Sequence, residues 1–100
     1  MYEIELTESL FLPQTNDELR DVTIGGLLRE TAEQFADSIA IVDIALDGSP
    51  TQQWNYGELL AISEKLAMGL ASRFEPGEKV VVWAPNIPAW LFIEYACALA

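Results

Sequence analysis

The sequence predicts a mixed α/β fold in the order helix, β-hairpin, helix, strand, helix, with a sheet left incomplete. Three observations carry this. Apolar residues recur at helical spacing in three stretches. An isoleucine-rich run, a turn cluster and a short return run make a hairpin. Val80-Val81-Val82 is continuously apolar, the pattern of a strand buried on both faces under helices.

Residues 1–22 form a polar, acidic lead-in whose one apolar patch is Leu10-Phe11-Leu12-Pro13. A first helix is expected from Ile24 to Ala36. The Thr23 hydroxyl can accept from a free amide of its first turn. Ile24, Leu27, Leu28, Thr31, Ala32 and Phe35 recur at helical spacing and make one face. Gly25-Gly26 weakens the opening turn, because glycine loses more backbone entropy on ordering. Asp37-Ser38 ends the helix.

Ile39 to Leu46 reads as a strand, Asp47-Gly48-Ser49-Pro50 as a turn, and Thr51 to Trp54 as the returning strand. A second helix opens at Asn55 or Tyr56. Asn55 can cap it, and Glu58, three residues on, can bond back to the cap amide as a capping box. Leu59, Ile62, Ser63, Leu66 and Leu70 line one face, with Ala67 and Phe74 beside them. Glu75-Pro76-Gly77 breaks the pattern.

Lys79 to Trp83 is the expected third strand, followed by the loop Ala84-Pro85-Asn86. Asn86 is expected to cap a third helix, with Pro88 in the first turn, where a missing amide hydrogen costs nothing. That helix carries Trp90, Leu91, Ile93, Tyr95, Ala96 and Leu99. It is apolar nearly all round and is expected to be buried. The pattern is still helical at Ala100, with no glycine or proline stop signal, and reads as truncated there. Residues 23–100 are therefore expected to be the first part of a larger domain.

Composition narrows the function. Hydrophobic residues make up 51% of the 100 residues, enough for a core despite a net charge of −11. The five cations, Arg20, Arg29, Lys65, Arg73 and Lys79, are scattered. Nucleic-acid binding needs them gathered against phosphate, so no nucleic-acid partner is expected. There is no histidine, and Cys97 is the only cysteine. That excludes an internal disulfide, a Cys/His zinc site and any histidine-activated nucleophile within these residues. No calcium-loop spacing occurs. Glu3, Glu5 and Glu8 make an acidic start, unlike a secretory signal. Pro85, Asn86, Pro88 and Glu94 interrupt Val80–Ala100 as a membrane span. The expected location is cytoplasmic.

Individual residues read as structural. Trp54 and Tyr56 flank a capped helix start, where aromatics serve as core anchors. Capping accounts for Asn86, although a loop after a buried strand is also where doubly wound sheets place ligands. Cys97 lacks an activating partner. Glu58 and Glu94 lack the spacing of an acid–base pair. No catalytic, cofactor-binding or metal-binding residue is assigned.

Three stretches together resemble one family. They are Thr23-Ile24-Gly25-Gly26-Leu27-Leu28 with Ala32, Phe35-Ala36-Asp37 and Ile39–Val42; Trp54-Asn55-Tyr56-Gly57-Glu58-Leu59 with Leu66-Ala67 and Leu70; and Pro76-Gly77-Glu78-Lys79 through Asn86, then Trp90. In order and spacing they resemble the start of the adenylate-forming (AMP-binding) superfamily, most closely the fatty-acyl-CoA synthetases. The resemblance implies the first part of that family's large N-terminal domain. It also implies a full-length ligase that activates a carboxylic acid with ATP and Mg2+ as an acyl-adenylate, then transfers the acyl group to coenzyme A. The family's Ser/Thr/Gly-rich loop ending in lysine, its magnesium-holding glutamate, its ribose-binding aspartate and its C-terminal lysine have no counterparts here. Gly25-Gly26 is not that loop, since no lysine follows and it opens a helix. The 100 residues alone are thus expected to be inactive and to hold no cofactor. Leu99 stands where synthetases of short acids carry a coenzyme A-binding arginine, which puts that contact in doubt here.

Two other readings remain. One is a free-standing α/β interaction domain. The other is an acyl carrier protein, because Asp37-Ser38-Ile39 resembles the Asp-Ser-Leu carrier site; there the serine opens a helix, whereas Ser38 precedes a strand pattern. With a strand edge and an apolar helix left uncovered, the 100 residues are expected to self-associate.

Overall fold

The computed structural model describes residues 19–100. The expected lead-in over residues 1–22, with its Leu10–Pro13 patch, lies largely outside the described residues. The elements are α1 (Ile24–Phe35), β1 (Ile39–Ile44), β2 (Pro50–Asn55), α2 (Tyr56–Ala71) and α3 (Pro88–Leu99). The mixed α/β class holds, with one two-stranded antiparallel sheet among the described residues.

α1 begins as expected. Thr23 has extended backbone and its hydroxyl accepts from the Gly26 amide at 3.0 Å. Leu28 and Ala32 are buried, but Ile24, Leu27 and Phe35 from the same apolar face are exposed. β1 stops at Ile44, two residues short of the expectation. The Ala45 amide donates to the Ser49 carbonyl at 2.8 Å and the Gly48 amide to the Ala45 carbonyl at 2.9 Å, so Ala45 and Leu46 already belong to the turn. Gly48 has φ of 85°, a left-handed conformation that glycine adopts without a Cβ penalty. The ladder runs from Ile39 opposite Asn55 to Ile44 opposite Pro50, with an irregularity near each end.

Two main-chain bonds fasten the hairpin base to the helices. The Tyr56 amide donates to the Ser38 carbonyl and the Gly57 amide to the Ala36 carbonyl, both at 3.0 Å. The start of α2 is thereby tied to the end of α1. The Asn55–Glu58 capping box is complete: the Glu58 amide donates to Asn55 Oδ1 at 2.7 Å, and the Asn55 amide to Glu58 Oε2 at 2.9 Å. α2 ends before the Glu75–Glu78 turn, where Gly77 has φ of 90°.

α2 is the central helix, packed on both α1 and α3, which also touch each other. The core between them combines two leucines with small residues. Leu28, Ala32, Leu59, Ala67, Ala96, Ser63 and Gly25 are the buried positions. Small side chains at a helix crossing let the axes approach closely. Gly25 shows how closely: a Cβ there would lie 3.0 Å from both the Ala98 carbonyl oxygen and Leu99 Cδ2. This glycine pair, read from sequence as a weak first turn, is where α3 meets α1. Arg29 joins α1 to α2 through Glu64 at 3.1 Å.

Three expectations are corrected. Lys79–Trp83 forms no strand among the described residues. A run of valines signals an apolar environment, but a strand also needs a neighbour for its amides and carbonyls, and among the described residues none pairs with this run. Asn86 does not cap α3; the N-cap is Ile87, with no side-chain cap bond, and Pro88 is the first helical residue. Proline excludes the preceding residue from helical backbone, so Ile87, at φ −131° and ψ 156°, cannot be the first residue of the helix that an Asn86 cap requires. Lastly, α3 is not buried all round: Ala96 is enclosed, while Trp90 and Leu91 are exposed.

Candidate functional site

No cluster of three or more metal-ligating side chains occurs among the described residues. What the fold does present is a set of surface recesses around α3 and the segment before it. One lies between α2 and Val80–Trp83 and has a volume of about 570 Å³. Its floor is Leu66, Gly69 and Leu70 of α2, and Ile93 of α3 closes one side. Lys65 and Arg73 stand on its α2 side. Gly69 keeps the floor open, since a Cβ there would meet only the Arg73 guanidinium, at 3.9 Å.

The charges around this groove are unusual for so acidic a chain. Arg20 pairs with Glu30, and Arg29 with Glu64. The other three cations, Lys65, Arg73 and Lys79, have no ion pair among the described residues. Two of them line the groove, and Lys79 directly precedes the valine run that forms its wall. The wall is wet: Val81 is 88% and Trp83 99% exposed.

A second recess, of about 360 Å³, lies between β1 and the start of α3. Val42 and Ile44 face Trp90 and Leu91 across it, and Asn86 is at its edge. A third, of about 180 Å³, has Cys97 on its lining beside Leu70, Phe74 and the Glu75–Glu78 turn.

The residues singled out from sequence are not brought together. Trp54 is half-buried and its ring meets Phe92 of α3, so it serves as the expected anchor. Tyr56 is the first residue of α2, held through its amide. Glu58 is spent on the capping box. Cys97 is exposed. Leu99 packs toward Gly25 of α1. Ser38 lies in the α1–β1 connection, its amide on the Phe35 carbonyl at 2.9 Å, and a strand follows it, unlike a carrier serine opening a helix.

One acid has a defined electrostatic environment. Asp47 Oδ1 accepts from the Ser49 hydroxyl at 2.6 Å and the Ser49 amide at 2.9 Å. These bonds favour the ionised form and hold the carboxyl below its ordinary pKa, the hydroxyl contributing most. The arrangement closes the hairpin turn. Gly25-Gly26, the one glycine pair, is filled by α3 on one side and by Thr23 and Val22 on the other, leaving no cradle for phosphate oxygens.

Residues 28–100 match the sequence model of a family described as AMP-binding enzyme. The chain is 32% identical over 87 residues to a mouse protein named medium-chain acyl-CoA ligase ACSF2, mitochondrial, covering 86% of this chain and 14% of that protein. It is 32% identical over 84 residues to a putative acyl-CoA synthetase, YngI, of Bacillus subtilis, covering 81% of this chain and 14% of the relative. The zebrafish ACSF2 ligase is 30% identical over 96 residues, 95% of this chain and 15% of its own length. The chain thus spans about one seventh of the curated relatives it matches. No solved structure matches it significantly.

Proposed function

The chain belongs to the AMP-binding enzyme family, and from that premise we propose that it is the opening segment of the large N-terminal domain of an acyl-CoA synthetase. In that reading the whole enzyme takes a fatty acid. The carboxylate attacks the α-phosphate of Mg-ATP, releasing pyrophosphate and leaving an acyl-adenylate. The thiol of coenzyme A then attacks the acyl carbon and releases AMP. The observation that carries this reading is the family match over residues 28–100. The ligase and synthetase names of the relatives support it. Residues 23–100 supply scaffold in this reading. Their glycine pair is spent on helix packing and their cations lie away from it, so ATP, Mg2+ and coenzyme A are held by other parts of the enzyme.

Pyrophosphate exchange by the parent enzyme, driven by fatty acids of graded length, tests the activity. Label should enter ATP with at least one fatty acid; no exchange with any of them sinks the assignment. Calorimetry of residues 1–100 with Mg-ATP tests the scaffold role and should give no saturable heat, whereas micromolar binding contradicts it.

Two further parts of this reading concern the chain's surroundings. A cytoplasmic location is one; ACSF2 relatives carry mitochondrial names, and cell fractionation decides between the compartments. No helix of the described residues is long and apolar enough to cross a membrane. Self-association of the 100 residues is the other. Val42 and Ile44 of β1 and Trp90 and Leu91 of α3 are exposed around one recess, and an edge strand with apolar side chains recruits other chains. Light scattering should show mass rising with concentration; a monomer at every concentration overturns it.

A further inference from the structure

The hairpin turn places an aspartate directly before a glycine at an exposed tip. Leu46, Asp47, Gly48 and Ser49 are all exposed, and a Cβ on Gly48 would meet nothing within 4 Å. In such a pair the main-chain nitrogen of the glycine can attack the γ-carboxyl carbon of the aspartate, because the glycine has no side chain to stand in the way. A bond forms between Gly48 N and Asp47 Cγ while a carboxyl C–O bond breaks. The amide proton and the departing hydroxyl leave together as water, and the product is a cyclic succinimide. Water then adds back. Opening at the side-chain carbonyl restores aspartate, and opening at the main-chain carbonyl leaves isoaspartate, whose main chain runs through Cβ. The sequence of steps consumes one water after releasing one, with no oxidant or reductant.

The folded turn opposes this reaction at both partners. The Gly48 amide donates to the Ala45 carbonyl at 2.9 Å, so the attacking nitrogen is engaged. Asp47 Oδ1 accepts from the Ser49 amide at 2.9 Å and from the Ser49 hydroxyl at 2.6 Å, which holds the carboxyl toward Ser49. A neutral acid loses its hydroxyl far more readily than a carboxylate loses oxide, and the Ser49 bonds hold Asp47 ionised. The glycine is not freely exchanged for a bulkier, more protective neighbour, because its φ of 85° suits a residue without a Cβ. We propose that Asp47 is an isomerisation site, reached through a succinimide with the Gly48 nitrogen, and that Ser49 guards it in the folded turn. The reaction then proceeds from the locally opened turn. Its product lengthens the main chain by one atom inside the loop that the Ala45 amide closes on the Ser49 carbonyl at 2.8 Å. The modified hairpin loses that closure, next to the pairing of Ile44 with Pro50.

Incubation of the 100-residue chain at neutral pH, followed by peptide mapping, tests this. Isoaspartate is read by enzymatic methylation of isoaspartyl carboxylates and by resistance to an aspartate-specific protease, with Asp37 and Asp43 as references in the same digest. In guanidinium the turn is open, and isoaspartate at Asp47 should form at least about tenfold faster than in the folded chain, since several hydrogen bonds are gone. Gly48→Ala in the same denaturant should slow it, because the methyl hinders the attack. Folded Ser49→Ala should form isoaspartate about fivefold faster than the unsubstituted chain, the factor that one lost hydrogen bond represents. Asp37 should keep its rate in that variant, showing that the chain stays folded. Ser49→Thr keeps the hydroxyl and should stay near the original rate. No isoaspartate at Asp47 in denaturant overturns the site. Equal rates in the folded and denatured chains, or a folded Ser49→Ala no faster than the unsubstituted chain, overturn the guard.

Discussion

Trp54 of β2 and Phe92 of α3 meet edge to face, with ring centroids 5.3 Å apart and planes at 75°. This is the arrangement that aromatic quadrupoles favour, positive edge toward negative face. It joins the hairpin to a helix more than thirty residues away in sequence.

Trp54→Ala should therefore destabilise the chain by about 2 kcal/mol, below the roughly 3–5 kcal/mol for a fully enclosed tryptophan, because this ring is only half-buried. A double-mutant cycle with Phe92→Ala should leave a coupling of about 1 kcal/mol. Chemical denaturation measures both. A normal melt for Trp54→Ala combined with lost turnover in the parent enzyme would make Trp54 a site residue.

The capping box gives a second test. Asn55→Ala removes the acceptor of the Glu58 amide and should cost about 1 kcal/mol. Glu58→Ala frees the Asn55 amide at the far side of the same box. The two losses should be less than additive, because each bond orients the other residue. Strict additivity in denaturant midpoints would mean that the bonds act independently.

These caps were legible in the sequence because a cap is local: the acceptor and its amide lie within three residues, as at Thr23–Gly26 and Asn55–Glu58. The hairpin was legible for the same reason, its turn being fixed by Asp47, Gly48 and Ser49. Asn86 failed because the proline two residues on dictates the backbone of Ile87, a constraint stronger than the capping preference of asparagine. The Val80–Trp83 strand failed because pairing is non-local and cannot be read from the paired segment alone. Gly25 was half-read: its helix-weakening was plain, but the approach of Ala98 some seventy residues later was not.

The hairpin turn carries a pH signature. Asp47 has a folded pKa below its ordinary value, chiefly through the Ser49 hydroxyl and then its amide. A depressed carboxyl stabilises the fold at pH above its unfolded pKa, and this contribution is lost as pH falls through the folded value. The effect is thus confined to the acid side of the ordinary aspartate range. In Ser49→Ala the larger of the two bonds is gone, so the Asp47 titration followed by NMR should move up toward the ordinary value. An unmoved titration would show that the hydroxyl is not the cause.

Gly25→Ala sets two effects of opposite sign against each other. Alanine is the better helix former, by about 1 kcal/mol in an exposed helix interior. Against this, the new methyl lies 3.0 Å from the Ala98 carbonyl oxygen and 3.0 Å from Leu99 Cδ2. The leucine can rotate away. The carbonyl is main chain within α3 and yields only if the helix moves, and forcing an extra methyl into a close-packed contact costs about 1–3 kcal/mol. Packing should win, so Gly25→Ala should lower the melting temperature. Gly26→Ala is the control for a non-helix contact: its methyl meets Thr23 Oγ1 and Val22 Cγ2, each at 3.1 Å, with no main-chain atom of another helix in the way. Its loss should be the smaller of the two. If Gly25→Ala instead raises the melting temperature, α1 and α3 are free to separate, and the small-residue core built on Ala32, Ser63, Ala67 and Ala96 is looser than its geometry indicates.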